Sequence, residues 1–198
     1  MDYAETFAAM KAFTRERDET TPDELWLLEH PPVFTQGISG KAEHLLSPGA
    51  IPVIAIDRGG QVTYHGPGQC VVYTLLDIRR AGLSARGLVT AIERAVITLL
   101  ARYDLLAASN PRAPGVYVDG RKVAALGLKV SRGRCYHGVA LNVDMDLEPF
   151  ARINPCGYAG LEVGSMASLT GSKNLDHWAI GRELMECLEQ ALAAAERA

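Results

Sequence analysis

Apolar side chains recur along the chain with the spacing of a helix in three segments. Recurrence every three or four residues places side chains on one helical face. It predicts helices over residues 3–17, from the capping residue Ser84 to about Tyr103, and from about Asp176 onward. The apolar stripes consist of Tyr3, Phe7 and Met10; of Leu88, Ile92, Val96, Leu99 and Tyr103; and of Gly181, Leu184, Leu188 and Leu192.

Shorter apolar runs between these helices predict strands. One is expected in "ELWLLEH", ending at Pro31–Pro32 because proline cannot donate to a strand ladder. Two more are expected in "IPVIAID", as a buried strand, and in "CVVYTLLDI". Residues 115–146 predict a β-meander, with a tight turn at Asp119–Gly120 and a second turn at residues 131–133.

These elements predict one α/β (α+β) domain over residues 1–198, with a mixed, mostly antiparallel sheet flanked by helices. Strands and helices occur in clusters rather than in strict βαβ alternation, which argues against a Rossmann order. No internal repeat, low-complexity linker or break in composition divides the chain.

Charge and hydropathy exclude several classes of function. The formal net charge is −3 and the pI is near 6.0. A protein that binds nucleic acid through bulk charge needs clustered lysine and arginine, so we expect no nucleic-acid partner. No segment approaches the roughly 20 apolar residues of a membrane span, and the N-terminus lacks the basic and apolar regions of a secretory signal. We expect a cytoplasmic protein without membrane contact.

Four cysteines raise the question of a metal or redox role. Cys70, Cys135, Cys156 and Cys187 include no C-x-x-C pair, which argues against structural zinc, and a reducing cytosol disfavours disulfides. Each cysteine is therefore a packing thiol or a reactive one. Cys156 differs from the others because "INPCGYAG" places it on a bend framed by proline and glycine, where a thiol can face solvent.

A nucleophilic Cys156 needs a neighbouring cation, because the thiolate is the reactive form. Histidine and lysine are both candidates. A Cys–His pair also requires an orienting Asn or Asp, for which Asn142 and Asn154 are available. The histidines are His30, His44, His65, His137 and His177. The residues alone leave Cys–His and Cys–Lys undecided.

Lys122 follows the predicted Asp119–Gly120 turn at the start of a strand. Alternation places Lys122, Ala124 and Leu126 on one face of that strand. A lysine among apolar neighbours usually reaches solvent through its flexible stem. The alternative is a desolvated ammonium that exchanges protons near neutrality.

The segment "RGGQVTYHGPGQ" predicts either a glycine-rich connection between strands or a binding loop that lies against a substrate. Four residues able to bind a ligand in so short a span favour binding: Arg58, Thr63, Tyr64 and His65. The segment is not a phosphate loop, because neither G-x-x-x-x-G-K-[ST] nor a G-x-G-x-x-G opening a helix is present.

The chain resembles the octanoyl-[acyl carrier protein]:protein N-octanoyltransferase family of lipoate biosynthesis. The resemblance lies in "TPDELWLLEHPPVFTQG", "RGGQVTYHGPGQ", "APGVYVDGRKVAALGLKV" and "RGRCYHGVALNVDMDLEPFARINPCGYAG". It runs from about Thr21 to Gly160, with several long motifs in the family's order. It implies the α/β fold of biotin and lipoate protein ligases.

The resemblance also implies a reaction and its partners. Octanoyl would pass from octanoyl-acyl carrier protein, through an acyl-thioester on the enzyme, to a lysine of lipoyl domains. Those domains belong to 2-oxoacid dehydrogenases and to the glycine cleavage H protein. Exchange between thioesters is nearly isoenergetic, so no ATP, cofactor or metal is expected, and we expect a monomer.

The site residues follow from the same resemblance. Cys156, in the "PCG" motif, would be the acyl-accepting nucleophile, and Lys122 would favour its thiolate and relay protons. The implied substrate-binding residues are Arg58, Gly59, Gly60, Gln61, Val62, Thr63, Tyr64 and His65, together with Ala125, Leu126, Gly127, Gly138, Val139 and Ala140.

Two details are expected around this pair. Oxyanion donors would come from backbone N–H groups around Cys156 and Gly157 or at Lys122. Small residues would leave room for an eight-carbon chain, and these are Ala124, Ala125, Gly127, Gly138 and Ala140.

Basic residues concentrate between positions 121 and 134, where no acid occurs. They predict either a docking surface for the acidic acyl carrier protein or solvated turns. The residues are Arg121, Lys122, Lys129, Arg132 and Arg134.

Three other functions compete with octanoyl transfer. An ATP-dependent lipoate-protein ligase on the same fold would need no nucleophilic cysteine. A non-catalytic acyl-binding protein would bind without turnover. A thiol hydrolase would release free octanoate without a lipoyl-domain acceptor.

Overall fold

The computed structural model describes residues 1–111, 113–172 and 175–195. The helices are α1 (Tyr3–Glu16), α2 (Ala85–Ala101), α3 (Met166–Thr170) and α4 (His177–Ala195). The strands are β1 (Glu24–Leu28), β2 (Val33–Gln36), β3 (Val53–Ala55), β4 (Val62–His65), β5 (Gln69–Asp77), β6 (Ala107–Ser109), β7 (Val116–Val118), β8 (Arg121–Ser131) and β9 (Arg134–Asn142). The three predicted helices are confirmed, and residues 196–198 at the end of the last lie outside the described residues.

The strands form two sheets. The larger is antiparallel throughout, with six strands in the order β1-β5-β9-β8-β7-β6. The smaller has the order β3-β2-β4, with a parallel β2–β3 pair and an antiparallel β2–β4 pair. The predicted mixed, mostly antiparallel arrangement is confirmed, divided between two sheets.

The two faces of the large sheet are covered differently. On one face α2 and α4 pack against the strands, burying Leu99 and Leu188 with Val139 in the main core. On the other face Met10 of α1 packs against Tyr73 of β5, and the small sheet lies beside α1. Within the described residues, none of the helices combines the length and apolarity required to cross a membrane.

The predicted turns are confirmed in their backbone geometry. Ser84 caps α2, its hydroxyl accepting the Gly87 N–H at 3.0 Å. Asp119 and Gly120 have φ values of 49° and 79°. Two consecutive residues with positive φ give a turn whose twist matches that of the flanking strands. Arg132 and Gly133 repeat this geometry, with φ values of 53° and 80°, between β8 and β9.

The prediction of a buried strand in "IPVIAID" is wrong in extent and burial. Only Val53–Ala55 forms a strand, and Val53 and Ala55 are exposed. The physical reason is position, since β3 pairs with β2 alone at the edge of the small sheet. The glycine-rich segment contains the better buried strand, because all four residues of β4 are buried.

The predicted alternation along β8 is also wrong near its start. Val116 pairs with Ala124, but the next residue, Tyr117, pairs with Lys122, so Val123 forms a bulge. Val123 and Ala124 are consequently both buried in the main core. A bulge re-aims the neighbouring side chains, so the regular alternation predicted from Lys122 to Ala124 is interrupted.

Candidate active site

A cavity of about 380 Å³ lies between the small sheet and the α1-covered face of the large sheet. The bulk of its wall comes from β4, β8, β9 and the loop before β4, which the sequence motifs indicated. The predicted residues that line it are Arg58, Gly59, Gly60, Gln61, Val62, Thr63, His65, Lys122, Ala125, Leu126, Gly127, Gly138, Val139, Ala140 and Cys156.

Tyr64 is the exception among the predicted binding residues. Its ring packs against those of Phe34 and Phe150, each with a centroid 5.5 Å away. Alternation along β4 turns it away from the side occupied by Thr63 and His65. Tyr64 therefore stabilises the small sheet rather than lining the cavity.

Cys156 lies on a turn of 3₁₀ type formed by Pro155–Gly157. Its φ is 57°, in the left-handed region that non-glycine residues rarely adopt, and Gly157 follows with φ 80°. The loop is held by the Asn154 N–H, which donates to the His44 carbonyl at 2.9 Å. The bend predicted from the sequence thus presents a partly exposed thiol to the cavity.

Lys122 lies against this thiol. Its Nζ donates to Cys156 Sγ at 3.0 Å across a sequence separation of 34 residues, and to the Pro114 carbonyl at 2.8 Å. Lys122 is only 4% exposed, so its amine does not reach solvent. Among the described residues its hydrogen-bond partners include no carboxylate.

Surrounding groups support this pairing. The Lys122 Nζ lies 5.5 Å from the centre of the Tyr117 ring, within the range of a cation–π contact. Burial and then the nearby Cys156 charge raise the pKa of Tyr117 to about 12. The Lys122 backbone is fixed between the Glu162 carbonyl, at 2.9 Å, and the Gly164 N–H, at 3.0 Å. A short segment after Cys156 thus holds Lys122 in place.

The histidine alternative receives no support from the geometry. Among the described residues, no histidine hydrogen-bonds Cys156. His137 contacts Asp57 at 3.0 Å, and His65 contacts Gln69 at 2.8 Å. His44 lies behind the nucleophile loop, with its Nδ1 3.4 Å from Asn154 Nδ2. The pair suggested by the family motif is the one that the fold brings together.

Polar residues that the sequence analysis missed line the rest of the cavity. Tyr3, Tyr73 and His137 were not predicted there. The Tyr73 hydroxyl lies 2.8 Å from Nε2 of His30, and both groups are buried. Periodicity alone places Tyr3 on the apolar face of α1, so the sequence pattern does not indicate its place in the cavity.

Burial keeps the histidines of this region neutral. Desolvation lowers the pKa of His65 to about 3 and the pKa values of His30 and His137 to about 4. Arg58 is buried as well, and its Nη2 donates to the Thr35 carbonyl at 2.8 Å. The positive charge of the cavity therefore resides on Arg58 and Lys122. Within the described residues, no group of three or more His, Cys, Asp or Glu side chains is arranged to hold a metal ion.

The remaining cysteines are packing thiols. Cys70 and Cys135 are buried in the main core, and burial raises the pKa of each to about 12. Cys187 is 2% exposed on α4, and burial raises its pKa too. A thiol held in its protonated form is a poor nucleophile, so Cys156 is distinguished from the other three by its surroundings.

Gly115 is a further residue that the sequence analysis missed, and it leads to a prediction. A methyl group there would lie 2.4 Å from Lys122 Cε and 2.9 Å from its Nζ. We expect Gly115→Ala to displace the amine and lower the transfer rate by about 100-fold, the cost of a misplacement near 1 Å. The rate is measured at saturating donor.

Gly120→Ala is the matched control for this variant. Gly120 also has a positive φ, of 79°, but its added methyl group meets nothing within 4 Å. It should introduce the strain of a side chain at positive φ without touching Lys122, and keep the activity. Equal losses in the two variants would show that strain, not displacement of Lys122, is responsible.

Comparison with known proteins decides the family. The model of the lipoyl protein ligase A/B catalytic domain matches residues 2–189. The chain is 61% identical over 172 residues to the octanoyltransferase of Pseudomonas fluorescens (strain Pf0-1), covering 87% of this chain and 80% of that protein. The chain belongs to the octanoyltransferase family. It is an acyltransferase, as the motifs predicted, and octanoyl transfer in lipoate biosynthesis is the activity of this family.

Other octanoyltransferases are similarly close. The identity is 65% over 161 residues with the octanoyltransferase of Azotobacter vinelandii (strain DJ / ATCC BAA-1303), covering 81% of this chain and 74% of that protein. The octanoyltransferase of Shewanella sp. (strain ANA-3) is 57% identical over 191 residues, covering 96% of this chain and 87% of that protein.

Solved structures confirm the predicted fold. A lipoate-protein ligase A bound with ATP superposes with a TM-score of 0.76 at 15% identity, covering 94% of this chain and 79% of that one. A biotin protein ligase from Aquifex aeolicus gives a TM-score of 0.55 at 16% identity, covering 66% of this chain and 55% of that one. The octanoyltransferase family thus shares the architecture of lipoate and biotin protein ligases.

Proposed function

We propose that this octanoyltransferase takes octanoyl from octanoyl-acyl carrier protein onto Cys156 and passes it to a lysine of a lipoyl domain. The observation that carries the proposal is the 3.0 Å contact between Lys122 Nζ and Cys156 Sγ, at the wall of a cavity of about 380 Å³. A thiolate beside a buried ammonium is suited to exchange between thioesters, because it is both a good nucleophile and a good leaving group.

In the first half-reaction the Cys156 thiolate attacks the carbonyl carbon of the donor thioester. The tetrahedral intermediate collapses as the bond to the carrier thiol breaks. The Lys122 ammonium donates its proton to the departing thiolate, leaving octanoyl on Cys156 and a neutral amine at Lys122. One C–S bond has formed and one has broken, so no ATP is consumed.

In the second half-reaction the amine of the acceptor lysine attacks the acyl-thioester. Neutral Lys122 accepts the proton that the attacking amine loses, acting as a general base. The C–S bond to Cys156 breaks, the amide is released, and the thiolate–ammonium pair is restored.

A lipoyl-domain acceptor is consistent with the structural neighbours. One of them is a bipartite lipoate protein ligase from Thermoplasma acidophilum, studied with its E2 lipoyl domain. It superposes with a TM-score of 0.73 at 16% identity, covering 95% of this chain and 78% of that one. We propose the same class of acceptor here, on 2-oxoacid dehydrogenases and the glycine cleavage H protein. A single catalytic domain over residues 1–198 and a monomeric state stay predictions.

Intact-protein mass spectrometry tests the function. After incubation with octanoyl-acyl carrier protein and no ATP, the enzyme should gain one octanoyl group, and peptide mapping should place it on Cys156. Addition of a lipoyl domain should then discharge it to the acceptor lysine. An unmodified enzyme that acts only with ATP and free acid would support the ligase, and free octanoate without acceptor would support the hydrolase.

The small residues expected around the acyl chain have two different structural roles. Ala125 and Ala140 pair across β8 and β9 and line the cavity, so their size leaves room for a chain. A methyl group on Gly138 would instead lie 2.1 Å from the Val72 carbonyl. Gly138 is therefore required by the close approach of β5, and a bulky residue there would disrupt the sheet rather than test chain length.

The basic residues between positions 121 and 134 do not form one surface. Arg121 lies beside Lys122, whereas Arg132 and Arg134 lie at the far end of β8, roughly 30 Å away at about 3.3 Å per residue. Arg86 is exposed one helical turn before Val89, which lines the cavity. We propose that the acidic carrier docks near Arg86 and Arg121.

Charge reversal at the two ends tests the docking position. Arg86→Glu with Arg121→Glu should raise the KM for the acyl carrier protein severalfold and weaken its salt dependence, because steering charges near the site raise the association rate. Arg132→Glu with Arg134→Glu is the control with the same change in net charge, and it should leave both quantities nearly unchanged. The reverse pattern would place the docking surface at the β8–β9 turn.

A further inference from the structure

The tetrahedral intermediates of this reaction need hydrogen-bond donors, and most backbone donors around Cys156 are already used. The Gly157 N–H donates to the Asn154 carbonyl at 2.9 Å, and the Tyr158 N–H to the Pro155 carbonyl at 3.1 Å. The Lys122 N–H donates to the Glu162 carbonyl at 2.9 Å. Two of the donors expected from the sequence, those of Gly157 and Lys122, are therefore committed elsewhere. The Cys156 N–H has no acceptor among the described residues.

Gln61 places a carboxamide beside the nucleophile. A methyl group on Gly157 would lie 3.0 Å from Gln61 Cγ and 3.2 Å from its Cδ, so this side chain covers the residue that follows Cys156. Gln61 and Cys156 line the same cavity. The backbone of Gln61 is fixed by its carbonyl, which accepts the Gly37 N–H at 3.3 Å, and β4 begins at the next residue.

One atom of the Gln61 carboxamide lacks a partner. Gln61 Oε1 is buried and has no hydrogen-bond partner among the described residues. A buried polar atom without a partner costs free energy, and a bound group that pairs with the amide removes that cost. The amide end offers two N–H donors, and its oxygen and nitrogen exchange places by a rotation of the terminal group.

We propose that the Gln61 carboxamide donates to the oxyanion of both tetrahedral intermediates, together with the Cys156 N–H. This role rests on the proposed function, because it needs an acyl group on Cys156. The Gln61 side chain lies beside Gly157 and lines the same cavity as Cys156, where the acyl carbonyl oxygen must lie. Lys122 is left free to move protons, since stabilisation of the oxyanion falls to a neutral donor.

The test separates oxyanion stabilisation from formation of the thiolate. Gln61→Met keeps a side chain of similar length over Gly157 but removes the N–H donors. Single-turnover acylation by octanoyl-acyl carrier protein should slow by about 100-fold or more, the loss typical of one oxyanion donor. Alkylation of Cys156 by iodoacetamide passes through no oxyanion, so its rate should stay that of the wild type. Gln190→Met, at an exposed site on α4, is the control and should change neither rate.

Three results would overturn this role. Acylation of Gln61→Met at the wild-type rate would show that the carboxamide is not a donor. Acylation and alkylation falling together would show that Gln61 positions the thiol instead. A wild-type enzyme that is never acylated on Cys156 would remove the proposed function itself, whereas wild-type acylation with an unimpaired variant removes only the role of Gln61.

Discussion

Cys156→Ser should abolish octanoyl transfer, with a loss of at least about 10⁴-fold, the scale seen when a nucleophile is removed. The serine hydroxyl is a much weaker acid than a thiol, so the neighbouring ammonium cannot hold it as an anion. Attack on the donor would also convert a thioester to an ester, a poorer acyl donor to the acceptor amine. The measurements are the rate of lipoyl-domain octanoylation and the intact mass of the enzyme.

Cys187→Ala is the control for this prediction. Cys187 is buried on α4, away from the cavity, so its removal costs stability through lost packing but should leave the transfer rate intact. A Cys156→Ser enzyme that retains more than about a tenth of the wild-type rate would be incompatible with a covalent intermediate at this position.

Lys122→Met should lower the transfer rate by about 10² to 10⁴-fold, the usual contribution of a positioned acid–base group. Methionine keeps the length of the stem, but it can neither accompany the Cys156 thiolate nor move protons. Alkylation of Cys156 by iodoacetamide at neutral pH should slow as well, which distinguishes this variant from Gln61→Met. Lys122→Arg should not restore activity, because a guanidinium stays protonated and cannot accept the proton of the attacking amine.

Stability should change much less than activity. Lys122 is buried, 4% exposed, so Lys122→Met removes the cost of burying a charged amine. It also leaves the Pro114 carbonyl without its donor, which costs free energy. Because the two effects oppose each other, the free energy of unfolding of Lys122→Met should stay close to that of the wild type. Lost activity together with a strongly destabilised fold would instead make Lys122 a structural residue.

The sequence was most informative about features that depend on residues close together in the chain, such as helices and turns. Periodicity placed α1, α2 and α4 to within a few residues, and positive-φ turns occur where Asp119–Gly120 and residues 131–133 predicted them. Cys156 was recognisable as a thiol on a bend. Its partner, however, was suggested by a family motif and not by periodicity, since Cys–His and Cys–Lys were equally open from the residues alone.

The errors occurred where neighbours distant in sequence decide the outcome. β3 is exposed because it lies at an edge, which depends on the pairing of other strands. The bulge at Val123 interrupts an alternation that local pattern predicts as continuous. His137 adopts φ 64° within β9, and its ring stacks against Phe7 of α1 at 5.5 Å. These contacts join residues far apart in the chain, so a local sequence pattern cannot predict them.

By itself, the sequence determined the helices, the turns and the family, and it indicated Cys156 and Lys122 as candidates for the chemistry. The tertiary structure alone decided that Lys122 and Cys156 meet at 3.0 Å, that Gln61 covers Gly157, and that the basic residues of β8 are separated by the length of the strand. The physical reason is the sequence distance over which each kind of interaction acts. Backbone preferences act over a few residues, whereas a contact between two side chains 34 positions apart exists only where packing brings distant segments together.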